Sequence, residues 1–233
     1  MKKFFAFAVA VMLSATSFAQ TETGRFFFAP KVGYNAASLT SAPKDYTTQL
    51  GLVAGIEVGY QMTDKFGITA DVLYSGQGID CDTRWFEPDG TTPIYRLKDN
   101  MKLDYLNIPI LANYYIVKGL AVKAGIQPGF LVSAKSKVER DIYDGAGTES
   151  GEVDMKDGLN SFDLSIPVGL SYEWKNIFID VRYIFGLTNV NKSNTYLFEE
   201  VTLDAYGKAD PRPIEKNSKN GVFQLTLGYK LPF

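Results

Sequence analysis

The feature that most constrains the fold is a two-residue alternation in the last thirteen residues, Gly221–Phe233. Odd positions from Phe223 onward are apolar, whereas even positions after Val222 are small or polar. Successive side chains of a β-strand point to opposite faces, so this segment predicts a strand with one apolar and one polar face. The apolar face must lie either on a protein core or against lipid.

The same pattern recurs upstream, which gives eight alternating segments in all. Each has roughly ten residues, the length that a tilted strand needs to cross a bilayer. The upstream segments cover residues 28–35, 50–60, 66–75, 105–114, 120–130, 162–172 and 177–187. Short turns are predicted at 61–65, 116–119 and 173–176, and longer connections at 36–49, 76–102, 131–161 and 188–220.

Long and short connections alternate strictly, and both termini fall on the side of the short turns. Outer-membrane barrels have this layout. Aromatic residues at both ends of the apolar faces are typical of girdles at the lipid headgroups. The sequence therefore predicts an all-β fold: an eight-stranded antiparallel transmembrane β-barrel with short periplasmic turns and four longer outer loops. We expect it to be a monomer.

The N-terminus predicts export. A basic Met1–Lys3 precedes a continuous apolar run at residues 4–13, and Ser17-Phe18-Ala19 is a small-x-small cleavage site. This pattern is typical of a cleaved signal peptide, so we divide the chain into a signal peptide at 1–19 and a barrel domain at 20–233. The absence of a second long apolar run excludes a helical membrane protein. The predicted location is the outer membrane of a Gram-negative cell.

Composition removes several classes of function. The chain has no histidine, which excludes Ser-His and Cys-His nucleophilic catalysis and His-ligated metal sites. A formal net charge of −2 argues against nucleic acid as a partner. The single cysteine, Cys81, cannot form an intramolecular disulfide, which leaves an intermolecular bridge or an inert thiol. We expect no enzyme activity, no catalytic residues, no cofactor and no metal.

The interior of an eight-stranded barrel is only wide enough for its own side chains or one small ligand. The polar faces of the predicted strands carry charges of both signs in similar numbers. This balance favours a plug of paired charges, with a narrow conduit or proton path as the alternative. The predicted barrel-interior charges are Lys31, Glu57, Asp71, Lys123, Asp163, Asp180, Arg182 and Lys230.

Three prolines lie inside predicted strands: Pro109, Pro128 and Pro167. Each removes one backbone donor from a ladder, and a closed barrel has no edge where the loss is harmless. We therefore expect bulges or locally broken pairing at these positions.

Two of the longer connections are candidate contact surfaces. Residues 76–102 contain Trp85 and Phe86, which form either an exposed contact for a partner or a pair packed under its own loop. Residues 131–161 are acidic and could bind calcium or bridge lipopolysaccharide through cations. The regular ligand spacing of a calcium loop is missing, which favours a solvated charged loop.

Several segments resemble a known family: Asp104–Tyr115, Ala124–Phe130 and Phe162–Tyr172, with Leu227–Leu231 at the end of the chain. They are similar to the PorT-like outer-membrane β-barrel family, which is abundant in Bacteroidetes. The resemblance covers nearly all of the mature chain. It implies an eight-stranded barrel, an outer-membrane location and little chemistry. Separately, the terminal Phe233 is similar to the aromatic C-terminus that barrel-assembly machinery recognises, and we expect it to act as an assembly signal.

Three hypotheses of function follow. The first is a non-enzymatic barrel with a structural or interaction role through its outer loops, in contact with outer-membrane lipid and lipopolysaccharide or with an envelope protein partner. The second, from a different class, is a passive channel or transporter for a small solute. The third is a subunit of a secretion apparatus, which would co-purify with a partner.

Overall fold

The computed structural model describes residues 23–40, 42, 46–86, 93–142, 147–192, 198–203, 209–214 and 217–232. The predicted signal peptide and Phe233 lie outside the described residues. The elements are β1 Phe26–Leu39, β2 Tyr46–Gln61, β3 Phe66–Phe86, β4 Pro93–Asn107, β5 Ile110–Val117, β6 Leu120–Ile142, β7 Gly147–Asp154, a 3-10 helix Lys156–Gly158, β8 Phe162–Trp174, β9 Ile177–Gly186, β10 Phe198–Leu203, β11 Ala209–Ile214, β12 Asn220–Tyr229 and β13 Leu231–Pro232. None of the described helical structure is long and apolar enough to cross a membrane.

Eight antiparallel strand positions, here called walls, close into a barrel, as predicted. In order they are β1, β2, β3, β4 with β5, β6, β8, β9 and β12. The last wall pairs with the first from Leu39↔Asn220 to Lys31↔Gly228, and β13 extends this seam. Closure leaves no free sheet edge among these eight strands of the described structure, so their backbone groups can pair without water.

The burial pattern is the reverse of that in a soluble protein. On β12 the side chains of Phe223, Leu225 and Leu227 are about half exposed, whereas Gln224 and Thr226 are buried. The same inversion runs around the barrel: large apolar side chains cover the outer surface, and most inward positions are polar or small. So large an apolar surface is unfavourable in water, and it identifies the outside of the barrel as the lipid-facing surface.

Aromatic pairs mark both edges of this surface. Phe26 and Tyr60 lie near the periplasmic turns, with ring centroids 4.6 Å apart. Phe130 and Phe162 lie at the outer edge, with centroids 5.8 Å apart. Aromatic side chains prefer the headgroup region, so these pairs bound the part of the barrel that spans the bilayer.

The connections differ in kind at the two ends. At the periplasmic end the turns are tight, and Gly119 and Lys175 adopt the left-handed backbone that short hairpin turns favour, with φ of 83° and 55°. At the outer end the longer connections contain β-structure of their own. The β3–β4 pair continues to Trp85↔Tyr95, β7 pairs with the end of β6, and β10 pairs with β11. The outer surface is therefore largely built from hairpins.

Pairing is interrupted at Pro109 and Pro167, as expected, whereas Pro128 stays in register with Leu164 in the ladder between β6 and β8. At Pro109 the fourth wall divides into β4 and β5, although the register is the same on both sides. The gap remains bridged, because Ile108 N–H donates to the Pro128 carbonyl (2.8 Å) and the Pro109 carbonyl accepts from Asp71 N–H (2.9 Å). Opposite Pro167 the ladder between β6 and β8 is also interrupted.

A pair of substitutions tests the lipid-facing assignment. Leu227→Arg, midway along the lipid-facing positions from Phe223 to Leu231, should lower the free energy of folding into vesicles by about 2–4 kcal/mol, because it places a charge in hydrocarbon. Leu231→Arg lies nearer the periplasmic headgroups, and its loss should be only about 0–1 kcal/mol. Denaturant titrations monitored by tryptophan fluorescence measure both. Equal effects at the two depths would contradict a membrane-spanning wall.

The barrel interior as candidate functional site

Six of the predicted interior charges form one connected network, which we call the charge ring. They project inward from five walls, β1, β2, β3, β6 and β9, and each is at most 4% exposed. In a barrel this narrow, inward side chains at similar heights must meet near the axis. The charge ring consists of Lys31, Glu57, Asp71, Lys123, Asp180 and Arg182.

The two lysines of the charge ring each bridge two carboxylates. Lys31 Nζ donates to Glu57 Oε2 at 3.0 Å and also to Asp71 Oδ2. Lys123 Nζ donates to Glu57 Oε2 at 3.3 Å and to Asp180 Oδ2 at 2.8 Å. Glu57 thus accepts hydrogen bonds from both lysines and links the two halves of the network.

Arg182 completes the charge ring. Its Nε and Nη2 donate to the two carboxylate oxygens of Asp180 at 2.6 and 2.7 Å, a bidentate arrangement. Its Nη1 donates to Asp71 Oδ2 at 2.9 Å, and its Nη2 reaches Glu57 Oε2 at 3.5 Å. Three cations therefore balance three carboxylates, and every charge contacts at least two of opposite sign. Such complete pairing offsets the large desolvation penalty of buried ions.

The strand register explains why the cations are needed. Glu57 and Asp71 lie directly opposite each other on β2 and β3. Two like charges at opposed positions destabilise a strand pair. Lys31 from the neighbouring β1 contacts both carboxylates, and this converts a repulsive pair into an attractive cluster.

Lys230 lies in a separate cluster nearer the periplasmic turns. Its ammonium donates to Glu173 Oε2 at 2.6 Å and lies 4.3 Å from the centroid of the Phe27 ring. The buried rings of Phe27 and Phe178 fit here because their neighbours are glycines. A Cβ added at Gly59 or Gly228 would lie 2.2 or 2.3 Å from a ring carbon.

Sequence reasoning missed Glu173, which is 3% exposed. The sequence analysis assigned this residue to a predicted turn, and β8 in fact continues through Trp174. A usable signal was present, because Glu173 follows Asp163, Ser165 and Ser171 on the inward parity of the strand.

Asp163 does not join the charge ring. It lies toward the outer end of β8, where its carboxylate accepts hydrogen bonds from the hydroxyls of Thr188 (3.0 Å) and Ser165 (3.2 Å). No ion pair between described residues includes Asp163. This carboxylate is held by neutral donors.

An apolar cluster, here called the outer cap, fills the interior beyond the charge ring. Its members are at most 5% exposed and come from the outer parts of the strands and from residues around the 3-10 helix. The sequence analysis did not predict this cluster, although Met101, Leu103 and Tyr105 keep a two-residue period. The outer cap consists of Leu39, Ile79, Met101, Leu103, Tyr105, Leu131, Ala134, Leu159 and Val190.

The two predicted contact residues of the outer hairpins stay a prediction. The backbones of Trp85 and Phe86 form the end of β3, but their side chains lie outside the described part of the structure. The Cys81 thiol is buried, which favours the inert-thiol interpretation.

The acidic connection is β-structured, and Lys135 pairs with Glu152 across β6 and β7 at 2.6 Å. The hydrogen bond from Lys135 lowers the pKa of the Glu152 carboxyl. Within the described ranges, no group of three or more acidic, cysteine or histidine side chains is placed to hold a metal ion.

A closed sheet with an apolar exterior and a charged, buried interior defines an integral outer-membrane β-barrel protein. The sequence model of the family described as outer membrane protein beta-barrel domain matches residues 18–192. The chain belongs to this family, and its location is the outer membrane. No curated protein sequence matches the chain.

Solved structures with a similar fold share little sequence with the chain. The attachment invasion locus protein Ail of Yersinia pestis is 13% identical, with 90% of this chain and 100% of Ail covered and a TM-score of 0.43. Neisserial surface protein A is 13% identical (88% and 97% covered, TM-score 0.40). The outer membrane protease OmpT of Escherichia coli is 9% identical (94% and 100% covered, TM-score 0.44). At these identities the likeness says nothing about the role of this chain.

The charge balance of the charge ring can be tested by comparing a single variant with a double variant. Arg182→Met leaves an excess buried carboxylate and should lower the free energy of unfolding by about 3–5 kcal/mol. Adding Asp180→Asn restores two cations against two carboxylates, so the double variant should recover most of the loss. Urea unfolding monitored by tryptophan fluorescence gives the values.

The matched control is Lys135→Met, which breaks an exposed pair and should leave stability unchanged within error. A double variant no more stable than Arg182→Met alone would show that charge balance does not govern this interior.

Proposed function

We propose that this protein is a monomeric, closed and non-enzymatic outer-membrane barrel of the PorT-like type, which acts as a structural or interaction element through its outer hairpins. The observation that carries the proposal is the charge ring, in which paired side chains from five walls meet across the interior. An ion or solute could pass only by breaking several of these buried contacts at once.

The outer cap supports the same conclusion independently. Its buried apolar side chains lie beyond the charge ring, so a solute entering from outside would first have to displace a packed hydrophobic cluster. Two barriers of opposite character thus lie in series along one narrow interior. The absence of histidine from the whole chain supports a non-enzymatic role, because the usual activated nucleophiles of hydrolases need it.

The outer hairpins supply a surface for an interaction role. β3 has 21 residues and β6 has 23, about twice the 9–11 that a tilted strand needs to cross the bilayer. The excess residues extend the β3–β4 and β4–β6 pairings beyond the aromatic edge of the barrel. A paired strand is stiffer than an irregular loop, so these hairpins hold a fixed shape above the membrane for a lipopolysaccharide layer or an envelope protein to contact.

A passive channel for a small solute is the second candidate, and one observation favours it. Several interior amides and hydroxyls have polar atoms with no hydrogen-bond partner among the described residues, including Asn35 Oδ1, Gln77 Oε1 and Gln224 Nε2. Such groups could bind water or a small polar solute inside the barrel.

Planar-bilayer recordings separate the two candidates. The purified barrel should give no steady conductance at neutral pH, because the charge ring and the outer cap close the interior. Protease protection of the same reconstituted sample checks that the barrel has inserted, so that a silent bilayer is informative. Reproducible unitary currents from the inserted protein would overturn the closed barrel in favour of the channel.

An affinity purification in mild detergent tests the interaction role. The tagged wild-type barrel should recover a stoichiometric envelope protein, and Trp85→Ser with Phe86→Ser should recover less of it, if these residues form the contact. Tyr34→Ser, on the lipid-facing side of β1, is the control and should recover as much as the wild type. Recovery of no partner by the wild-type protein would count against both the interaction role and a secretion-apparatus subunit.

A further inference from the structure

An open pocket of about 780 Å³ lies where β8, β9 and β12 leave the membrane at the outer end. Its volume is in the range of small-molecule sites. The pocket is formed by the residues just before β8, just after β9 and just before β12. The side chains on which the following inference depends are Ser161, Phe162, Leu187, Asn189, Asn217 and Lys219.

The pocket has an apolar and a polar part. Phe162 and Leu187 are about half exposed and continue the lipid-facing surface of β8 and β9. The Phe162 ring packs on Phe130 in the outer aromatic edge, which places this part at the level of the headgroups. Ser161 and Asn189 are among the polar residues that line the remaining part. A ligand here would contact lipid chains on one side and polar groups on the other.

Hydrogen bonds within the protein hold the polar part of the pocket in place. Backbone hydrogen bonds join its three segments, from Asn160 N–H to the Val190 carbonyl (2.8 Å) and from Val190 N–H to the Ser218 carbonyl (2.7 Å). The Asn160 amide also donates to the carbonyl of Asn189 (2.8 Å), and the Asn189 amide donates to Asn217 Oδ1 (2.9 Å). Val190 and Ser218 are buried beneath this surface. The pocket therefore keeps its shape without a ligand.

Lys219 gives the pocket its charge. Its backbone is fixed by two contacts with Thr40, one donated by Thr40 N–H (3.0 Å) and one accepted by Thr40 Oγ1 (3.1 Å). Among the residues that the structure describes, the lining contains no acidic side chain and Lys219 makes no ion pair. Asp163, the nearest interior carboxylate along β8, is buried and accepts a hydrogen bond from the lining residue Thr188 (3.0 Å). A negatively charged ligand is the one that this wall complements.

We infer that this pocket binds the phosphorylated saccharide headgroup of an outer-leaflet glycolipid. The ammonium of Lys219 pairs with a phosphate, while amide and hydroxyl groups suit the hydroxyls of a sugar. The apolar part, continuous with the lipid-facing wall, accommodates the beginning of the acyl chains. A soluble anion would use the cation but leave this apolar part without a role. The inference rests on the proposed contact with lipopolysaccharide, but the pocket lies outside the barrel interior, so loss of this binding and a conducting interior are separate results.

Native mass spectrometry of the detergent-purified barrel tests the inference. The probe is lipid A, a diphosphorylated acylated disaccharide, compared with its dephosphorylated form and with phosphatidylethanolamine. The wild-type barrel should retain one lipid A and prefer it to both comparison lipids. Lys219→Gln should bind it about tenfold more weakly, since it loses a charge-assisted hydrogen bond. Asn189→Ala should weaken binding through the sugar contacts while leaving the preference for phosphate.

The control is Lys118→Gln, an exposed lysine in the periplasmic turn between β5 and β6, which should bind as the wild type does. Heat-modifiable gel mobility reports whether each variant is folded. Equal retention by Lys219→Gln and Lys118→Gln would overturn the site. Displacement of lipid A by inorganic phosphate alone, or equal binding of the dephosphorylated lipid, would overturn the assignment to a phosphorylated headgroup.

Discussion

Burying six charges inside a narrow barrel is the constraint on which the rest of the structure depends. Each ion loses several kcal/mol of hydration unless partners replace the water, so the charge ring is stable only when all its members meet. They come from five walls, and a slip of one residue in any wall would turn a charge such as Glu57 outward into lipid. The ring therefore ties the registers of β1, β2, β3, β6 and β9 together, and β12, which contributes no charge to it, lies between two of these strands.

Much of this architecture could be predicted because a strand sorts its side chains by parity alone. The inward position of Lys31 or Arg182 follows from the two-residue period, as does the number of walls. Which charges meet does not follow, because contacts depend on the stagger between strands. Lys31 is in register with Gly55, yet it pairs with Glu57 and Asp71. Glu173 was missed because the apparent end of an alternating pattern was taken as the start of a turn.

The outer cap was not predicted for a different physical reason: the polarity of the two strand faces is exchanged at the membrane surface. Within the bilayer Tyr74 points outward and Ser75 inward. Beyond it Met101 and Leu103 are buried inside, while Lys102 between them is exposed to the outside. Water replaces lipid as the outer solvent, so the outer face becomes polar and the inner face becomes the apolar core. A search for one continuous apolar face reads this exchange as the end of the strand.

The outer membrane surface, where this exchange of polarity occurs, also links the proposed lipid A pocket to the outer hairpins. The pocket lies at this boundary, with Phe162 and Leu187 on the lipid side and Lys219 on the water side. A headgroup held there would fix the depth of the barrel in the outer leaflet more narrowly than hydrophobic matching alone. Because the β3–β4 and β6–β7 hairpins are continuous with the wall, their height above the membrane is then fixed as well. A rigid interior and a fixed depth are what a protein needs to present a surface at a constant distance from the bilayer, and a pore requires neither.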